Sequence, residues 1–469
     1  MRRFPFYVFL LPLFFVLHGY VQQYGLLPGG EALRLLLIYL LVAALLLFAG
    51  RRLTGNWRKG GVLVFAALSV ELFYGAGYDA LHVRAPWLPL HWALVLPVAL
   101  LLLGLVVAKL KKTNDVHGLT GFGNLLLLVL LLVEGTGWMR RHQALVREQE
   151  GRLWKTAPTT AIKPDVFLVI ADEYAGNRTL RDGLGFDNRA FLNSLRALGF
   201  RVDSNANANY NFTEYSTASL LNGAYFPAAS RTNATDVGRC FHWITGNETT
   251  RYFRAQGYVL HNHSIFDLDG APSSAPRTWN AQWNDILRQQ TLSARALRTL
   301  LPEPPERANF RTVNDSVYWQ TLRTLEEPAT SPRFVYTHLL LPHSPYFYNA
   351  EGKEQPPAIA NDIANTAAYV EYLRYGNGIY LSLVQRILSQ ARRPTVILLL
   401  GDHGFRSFRR DVPKEYYFQN LHAVYTSPGL KSWPSAGLVN EFRLLLDSCF
   451  GQHLPLLPNE QHFIGDQEH

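Results

Sequence analysis

A chain of 469 residues is too long for one ordinary core, and its formal charge of +9 stands beside a mean hydropathy of −0.03, an average over two unlike parts. Leu, Val, Ala and Phe dominate roughly the first 140 residues, whereas the remainder has the mixed polar and aromatic usage of a water-soluble domain. The basic residues stand in short clusters between apolar runs or are scattered, with no RNA- or DNA-binding motif beside them, so the charge argues for no nucleic-acid partner. Two cysteines, Cys240 and Cys449, with no Cys-x-x-Cys pair, exclude a zinc knuckle or dithiol redox motif and leave one disulfide open against two separate buried thiols.

In chain order, apolar stretches fall at residues 4–22, 33–49, 60–80, 90–108 and 119–138, each close to the length that crosses a bilayer core. The first follows Arg2 and Arg3, and Gly19-Tyr-Val-Gln-Gln23 offers no small-x-small cleavage site, so it reads as a retained anchor rather than a signal peptide. Arg2, Arg3, Arg51, Arg52, Arg58, Lys59, Lys109, Lys111 and Lys112 lie on one side of the spans, against Arg34 and Arg84 on the other. Basic residues resist translocation. The N-terminus is therefore expected in the cytoplasm, and five spans deliver the rest of the chain to the outer face. Glu71 and Glu134 fall within spans, where an ionisable group faces a protein interior or a headgroup region. The expected division is a transmembrane domain at 1–139, a polar connector at 140–162 and one domain at 163–469.

After the connector, Asp165-Val-Phe-Leu-Val-Ile-Ala171 is a short apolar run stopped by Asp172-Glu173. Phe334–Leu341 is another, stopped by Pro342-His343-Ser344-Pro345, and Thr395–Leu400 a third, stopped by Gly401-Asp402-His403-Gly404. Continuous apolar strands separated by helical patterns, here around 188–199 and 367–391, belong to a mostly parallel α/β sheet flanked by helices. In such sheets ligands bind beyond the carboxyl ends of the strands, and these ends carry Asp, Glu, His, Asp and His. Residues 213–223 read as a helix with Thr213 at its N-cap and Asn222-Gly223 at its end, a place where free backbone N–H groups and the helix dipole attract an anion. The stretches around 271–276 and 302–305 read as excursions from the core on the substrate side.

Together these segments resemble the sulfatase and alkaline-phosphatase superfamily over residues 163–425. Pro164–Glu173 looks like its first metal-binding strand and Gly401-Asp402-His403-Gly404 like its later metal-binding turn. Thr213–Gly223 has the length of the sulfatase nucleophile signature, with Thr213 at the Cys position and Ser216, Leu220, Leu221 and Gly223 matching. Thr217 replaces the signature Arg, and a formylglycine forms only from Cys or Ser, so a conventional sulfatase is not expected. A threonine with an Asp-His turn behind five spans is similar to phosphoethanolamine transferases and lipoteichoic acid synthases. Asn420–Tyr425 and Gly451–Leu457 resemble the ending of membrane-bound sulfatase-like proteins.

The resemblance implies Asp172, Asp402 and His403 as ligands of one divalent cation, joined by Thr213 Oγ, with Thr213 as nucleophile and His343 contacting the phosphate or protonating the leaving oxygen. Glu173 is expected as a further ligand or a support beside the ligands, and His338 and His422, with Lys414, as supporting or substrate-side groups. Two carboxylates with an imidazole suit zinc first and manganese second, rather than calcium. The implied enzyme sits in a bacterial inner membrane with its site outside the cytoplasm. It takes a headgroup such as phosphoethanolamine or phosphoglycerol from a membrane lipid and passes it to lipid A, a glycan or water. The rival readings are a phosphodiesterase or sulfuric ester hydrolase, and a non-catalytic module that binds envelope glycans on the same fold.

Overall fold

The computed structural model describes residues 4–23, 26–27, 29–85, 87, 91–113, 115–150, 154, 163–227, 234–275, 286–301, 306–328 and 330–465. The chain divides into two compact units, one of Met1–Val146 with Asn280–Pro304 and one of Arg147–Trp279 with Pro305–His469. Residues 280–304, inside the span expected to form one domain at 163–469, group with the first unit instead.

The first unit contains helices α1 (Tyr7–Gln22), α2 (Gly29–Thr54), α3 (Trp57–Arg84), α4 (Trp92–Lys112) and α5 (His117–Glu150) up to Val146. The last four are long and apolar enough to cross a membrane, and α1, at 16 residues, is shorter. Tyr7, Leu11 and Phe15 of α1 pack with Leu35 and Leu47 of α2 and Leu68 and Leu72 of α3, while α4 buries only Ala99 and Leu110. Asn124 of α5 accepts the Tyr7 backbone N–H at 2.7 Å and donates to the Phe4 carbonyl at 3.0 Å, which satisfies a polar side chain among apolar neighbours. Glu134 meets His18 Nδ1 at 2.7 Å, and Glu71 accepts from the Ser293 N–H at 3.2 Å. Both acids of the apolar helices thus have protein partners. α5 runs to Glu150, beyond the expected end of its span and into the expected connector; most of the rest of 140–162, with Pro276 and 302–305, lies outside the described residues.

The second unit is built on a six-stranded sheet in the order β2-β6-β5-β1-β4-β3, where β1 is Asp165–Ala171, β2 Arg201–Val202, β3 Val259–His263, β4 Arg333–Leu339, β5 Thr395–Gly401 and β6 His422–Thr426. β1, β3, β4 and β5 run parallel, and β6 and β2 add an antiparallel edge. β1, β4 and β5 are buried at every position, the condition their unbroken apolar runs require. Helices α6 (Arg189–Ala197), α7 (Thr213–Asn222), α8 (Ala234–Thr245) and α9 (Glu248–Ala255) precede β3. α10 (Leu292–Leu300) belongs to the first unit. α11 (Glu306–Glu326), α12 (Thr366–Gln390) and α13 (Glu441–Phe450) belong to the second, with a one-turn helix at Pro357–Ala360 before α12. Both cysteines are buried thiols, Cys240 donating to the Glu214 carbonyl at 3.1 Å, and no disulfide joins them.

Candidate metal and nucleophile site

Because β5, β1 and β4 are parallel neighbours, their carboxyl ends finish side by side: Ala171 pairs with Gly401 on one flank and Leu339 on the other. The next residues, Asp172 and Asp402, therefore meet at one rim of the sheet. The turn after β5 doubles back against the chain near Tyr416, where a Cβ on Gly404 would lie 2.2 Å from the Tyr416 carbonyl oxygen, so only glycine fits. Glu173 follows Asp172 with φ 58°, a left-handed conformation uncommon outside glycine, and this turns its N–H onto Asp402 Oδ1 at 2.9 Å. The His403 N–H donates to the same oxygen at 2.9 Å, whereas Asp402 Oδ2 is buried with no hydrogen-bond partner among the described residues.

His403 Nδ1 lies 2.8 Å from the Gly404 carbonyl and must carry the proton, which leaves the Nε2 lone pair facing inward. That lone pair is 3.2 Å from Thr213 Oγ1, and the hydroxyl is 3.5 Å from Asp172 Oδ1. Thr213 is the first residue of α7 and Phe212, in extended conformation, is the N-cap. The expected N-cap role is thus displaced by one residue, and the Thr213 hydroxyl is turned to the acid–imidazole cluster rather than back to its own helix. Gly223, at φ 53°, ends the helix as anticipated.

The other oxygen of Asp172 is held from behind. His338 Nε2 donates to Oδ2 at 3.1 Å and Tyr336 Oη donates to His338 Nδ1 at 3.0 Å, with Thr217 beside the Tyr336 hydroxyl. A buried chain thus runs from the position of the signature arginine to a candidate ligand. Tyr336 and Thr217 were not singled out from sequence, although Tyr336 sits two residues before His338, the spacing that shares a strand face.

Electrostatics divide the two carboxylates. Burial raises the Asp172 carboxyl, but the His338 hydrogen bond and the nearby His343, His338 and His403 rings outweigh it and hold Asp172 well below the usual carboxylate range. Burial and the Asp172 charge push Asp402 up to about 7. Burial, then the Arg406 charge, lowers His403 to about 4, so its imidazole is neutral. Asp172, Asp402 and His403 each offer a ligand atom within 4.8 Å of the others. An orphaned carboxylate oxygen, a lone pair facing inward and two acids in mutual repulsion form a donor set that fits a divalent cation.

The remaining expected residues are placed differently. His343 sits in a turn bounded by cis peptide bonds before Pro342 and Pro345, stacked on Phe310 with centroids 6.0 Å apart, and its Nε2 is 3.8 Å from Glu173 Oε2. Glu173 is not one of the three grouped ligand candidates, and its Oε1 accepts the Arg406 N–H at 3.0 Å. His422 does not join the cluster: Nε2 is 2.9 Å from Glu441 Oε2, whose other oxygen accepts Trp433 Nε1–H at 2.8 Å. The expected supporting or substrate role of His422 is thus replaced by a buried structural ion pair, and Lys414 lies over the Phe463 ring at 5.2 Å.

Residues 164–439 match the family model described as Sulfatase. The chain belongs to the sulfatase family. Among solved structures, this sulfatase-family chain is similar to the periplasmic domain of EcEptC from Escherichia coli in complex with Zn, at 13% identity over 66% of this chain and 90% of that one, with a TM-score of 0.41. It is also similar to the soluble domain of lipooligosaccharide phosphoethanolamine transferase A from Neisseria meningitidis (14% identity, 62% and 89% covered, TM-score 0.41). A third is the phosphonate monoester hydrolase of Agrobacterium radiobacter (12% identity, 61% and 73% covered, TM-score 0.39). Likeness of this size identifies no reaction for this chain. No curated protein sequence matches it.

Proposed function

We propose that this sulfatase-family chain is a membrane-anchored, metal-dependent enzyme that transfers or hydrolyses a phosphoester headgroup through a phospho-threonine on Thr213. The observation that carries the reading is the Thr213 hydroxyl, 3.2 Å from His403 Nε2 and 3.5 Å from Asp172 Oδ1, beside the unpartnered Asp402 Oδ2. Asp172, Asp402, His403 and the Thr213 oxygen would hold the cation, zinc first and manganese second. Bound there, a divalent cation supplies a lowered hydroxyl pKa and neutralisation of charge on the phosphoryl group.

The chain's own residues do the rest. Asp172, fixed by His338 with Tyr336 behind it, and His403, fixed by the Gly404 carbonyl, orient Oγ toward phosphorus. Oγ gives its hydroxyl proton up to solvent and forms the new bond to phosphorus as the bond from phosphorus to the leaving oxygen breaks, and that oxygen takes a proton from His343, which stands beside Glu173. An acceptor hydroxyl on lipid A or a glycan, or water, then attacks the phospho-threonine with His343 receiving its proton, while the Thr213 Oγ–phosphorus bond breaks and Oγ takes a proton back from solvent. Thr213 in place of Cys or Ser favours phosphoryl over sulfuryl chemistry, since a formylglycine cannot be made from threonine.

The four long apolar helices, with α1, support anchoring in a bacterial inner membrane, N-terminus inside and the second unit outside the cytoplasm, in keeping with the placing of Arg51, Arg52, Lys109, Lys111 and Lys112 at one set of helix ends. The decisive experiment is comparative lipid and glycan mass spectrometry of cells carrying wild type, a deletion or Thr213→Ala. The deletion shifts a headgroup-bearing species, and Thr213→Ala reproduces that shift; full restoration by Thr213→Ala would remove Thr213 from the mechanism.

A further inference from the structure

After α13 the chain continues over 451–465 as an irregular, mostly exposed segment, yet its last part is tied to one buried place in the second unit. Asn209 and Asn211, 0% and 2% exposed, stand four and two residues before Thr213, in the irregular run that joins β2 to α7. Asn211 Nδ2 donates to the Ile464 carbonyl at 2.9 Å and the Ile464 N–H donates to Asn211 Oδ1 at 2.8 Å, so one carboxamide satisfies both backbone groups of one residue. Asn209 Nδ2 donates to the Glu460 carbonyl at 2.7 Å, and the Asn209 carbonyl accepts the His462 N–H at 2.8 Å. Between the two asparagines, Tyr210 stacks on His462 with ring centroids 5.3 Å apart. Residues 460, 462 and 464 thus lie along 209–211 as a parallel strand would, with asparagine side chains standing in for part of the backbone ladder.

Alternation along an extended chain turns Phe463 the other way. Its ring meets the Tyr417 ring edge-on at 5.4 Å, and the Tyr417 carbonyl accepts the N–H of Gly404, the residue after His403. On the opposite flank the Tyr210 carbonyl accepts the Ser216 hydroxyl at 3.0 Å, which carries the restraint into the first turn of α7. The segment therefore touches both walls of the candidate site: through 462 and 464 the run that leads into Thr213, and through 463 the loop that backs the Asp402-His403 turn.

We propose that residues 458–464 are a positioning strap for the nucleophile, which keeps the Thr213 hydroxyl within reach of His403 and Asp172 by fixing 209–211 against the loop behind the Asp402-His403 turn. The proposal rests on the reading of Thr213 as nucleophile. Asn211 and Phe463 act through their neighbours and are positioning residues. A reacting oxygen displaced by about 1 Å loses roughly a hundredfold in rate even where substrate still binds. The strap thus acts on turnover, and not on affinity for substrate or metal.

The test uses the purified, zinc-loaded full chain, with Asn211→Ala opening one side of the strap and Phe463→Ala the other. On a chromogenic phosphodiester both variants should lower kcat per folded molecule by roughly a hundredfold, with KM within about threefold and zinc content as in wild type, and Phe463→Leu should recover part of the loss. Hydrogen exchange supplies a readout that needs no turnover: peptides covering 212–220 should exchange roughly tenfold faster in both variants, while those covering β1 and β5 are unchanged. Thermal unfolding identifies a variant that fails to fold. Phe463, 45% exposed, then carries the test, because its removal leaves no buried polar group unpaired. Wild-type kcat in the folded variants, a raised KM at unchanged kcat, loss of zinc along with kcat, or unchanged exchange over 212–220 each overturns the proposal. A wild type without phosphodiester turnover defeats the enzymatic reading instead. Exchange then decides for the strap alone: faster over 212–220 keeps it as the element that holds Thr213 in place, and unchanged removes it.

Discussion

At its amino end the central strand β1 carries Asp165, and one step past its carboxyl end it carries Asp172; both aspartates are 2% exposed. Asp165 is neutralised within the fold: Arg333 Nη2 reaches Oδ2 at 3.2 Å and the Arg333 N–H donates to Oδ1 at 2.9 Å. At the opposite end Asp172 faces a second carboxylate, Asp402, with imidazoles and a hydroxyl around them and, among the described residues, no arginine or lysine paired to either. A buried charge is tolerated when it is paired and hydrogen-bonded, and an unpaired one is costly. The amino end is thus complete as polypeptide, and the carboxyl end has the composition of a set of cation ligands.

The largest effect that sharpens this contrast is on turnover. Thr213→Ala should lower the rate of headgroup release by about a thousandfold or more, as loss of a nucleophile does, while Asp165→Asn leaves the rate per folded molecule within about twofold. A chromogenic phosphodiester assay on purified full chain measures both. Next in size is metal retention. Asp402→Asn and His403→Gln should weaken binding of zinc or manganese by roughly a hundredfold, read as loss of the one equivalent per chain that wild type keeps through dialysis. If both variants retain a full equivalent, the two strand ends do not differ as argued.

Stability should run the other way. Asp165→Asn leaves the Arg333 guanidinium buried without its counter-charge and should cost about 3 kcal/mol in denaturant unfolding, with metal content unchanged. Asp402→Asn, assayed after chelation, removes a buried acid held beside another and should cost less than about 1 kcal/mol, or stabilise. Equal losses in the two variants would break the comparison.

The positions that were legible in the sequence are those set by strand topology. Three apolar runs ending in Asp172, His343 and Asp402-His403 suffice to foresee a shared rim, because parallel strands present their carboxyl ends together. Thr213 was legible as a helix start but not to the residue, since extended Phe212 takes the cap. His422 was misleading: it lies at the site end of β6, yet Glu441, 19 residues later on α13, captures its ring. Linear order does not reveal that partner. The His338–Tyr336–Thr217 chain was half legible, through the two-residue spacing of Tyr336 and His338, and its link to α7 appears only in three dimensions. Residues 286–301 were not legible as part of the first unit, because Leu-Ser-Ala-Arg-Ala-Leu-Arg-Thr-Leu is short and amphipathic and reads like any surface helix.

His263 shows a third way of burying a titratable group in the same sheet, neither paired with a charge nor left for a cation. Its ring, 8% exposed, lies between Thr324 Oγ1 at 2.8 Å and Ser274 Oγ at 3.0 Å. Burial, with the neighbouring His261, lowers it from 6.5 to about 4. As pH falls the unfolded chain takes up this proton first, so the contribution is fully present above about pH 6.5 and is lost as pH falls toward about 4. With allowance for partial exposure the loss is about 2 kcal/mol over that window. His403 slopes in the same sense and Asp402 in the opposite one, so the measurable quantity is the difference between wild type and His263→Gln in urea unfolding at a series of pH values. The variant should be less stable than wild type near pH 7, and the gap should close by about 2 kcal/mol by pH 4. A gap that stays constant would mean that His263 does not resist protonation, and that hydroxyl partners do not hold a buried imidazole neutral in this sheet.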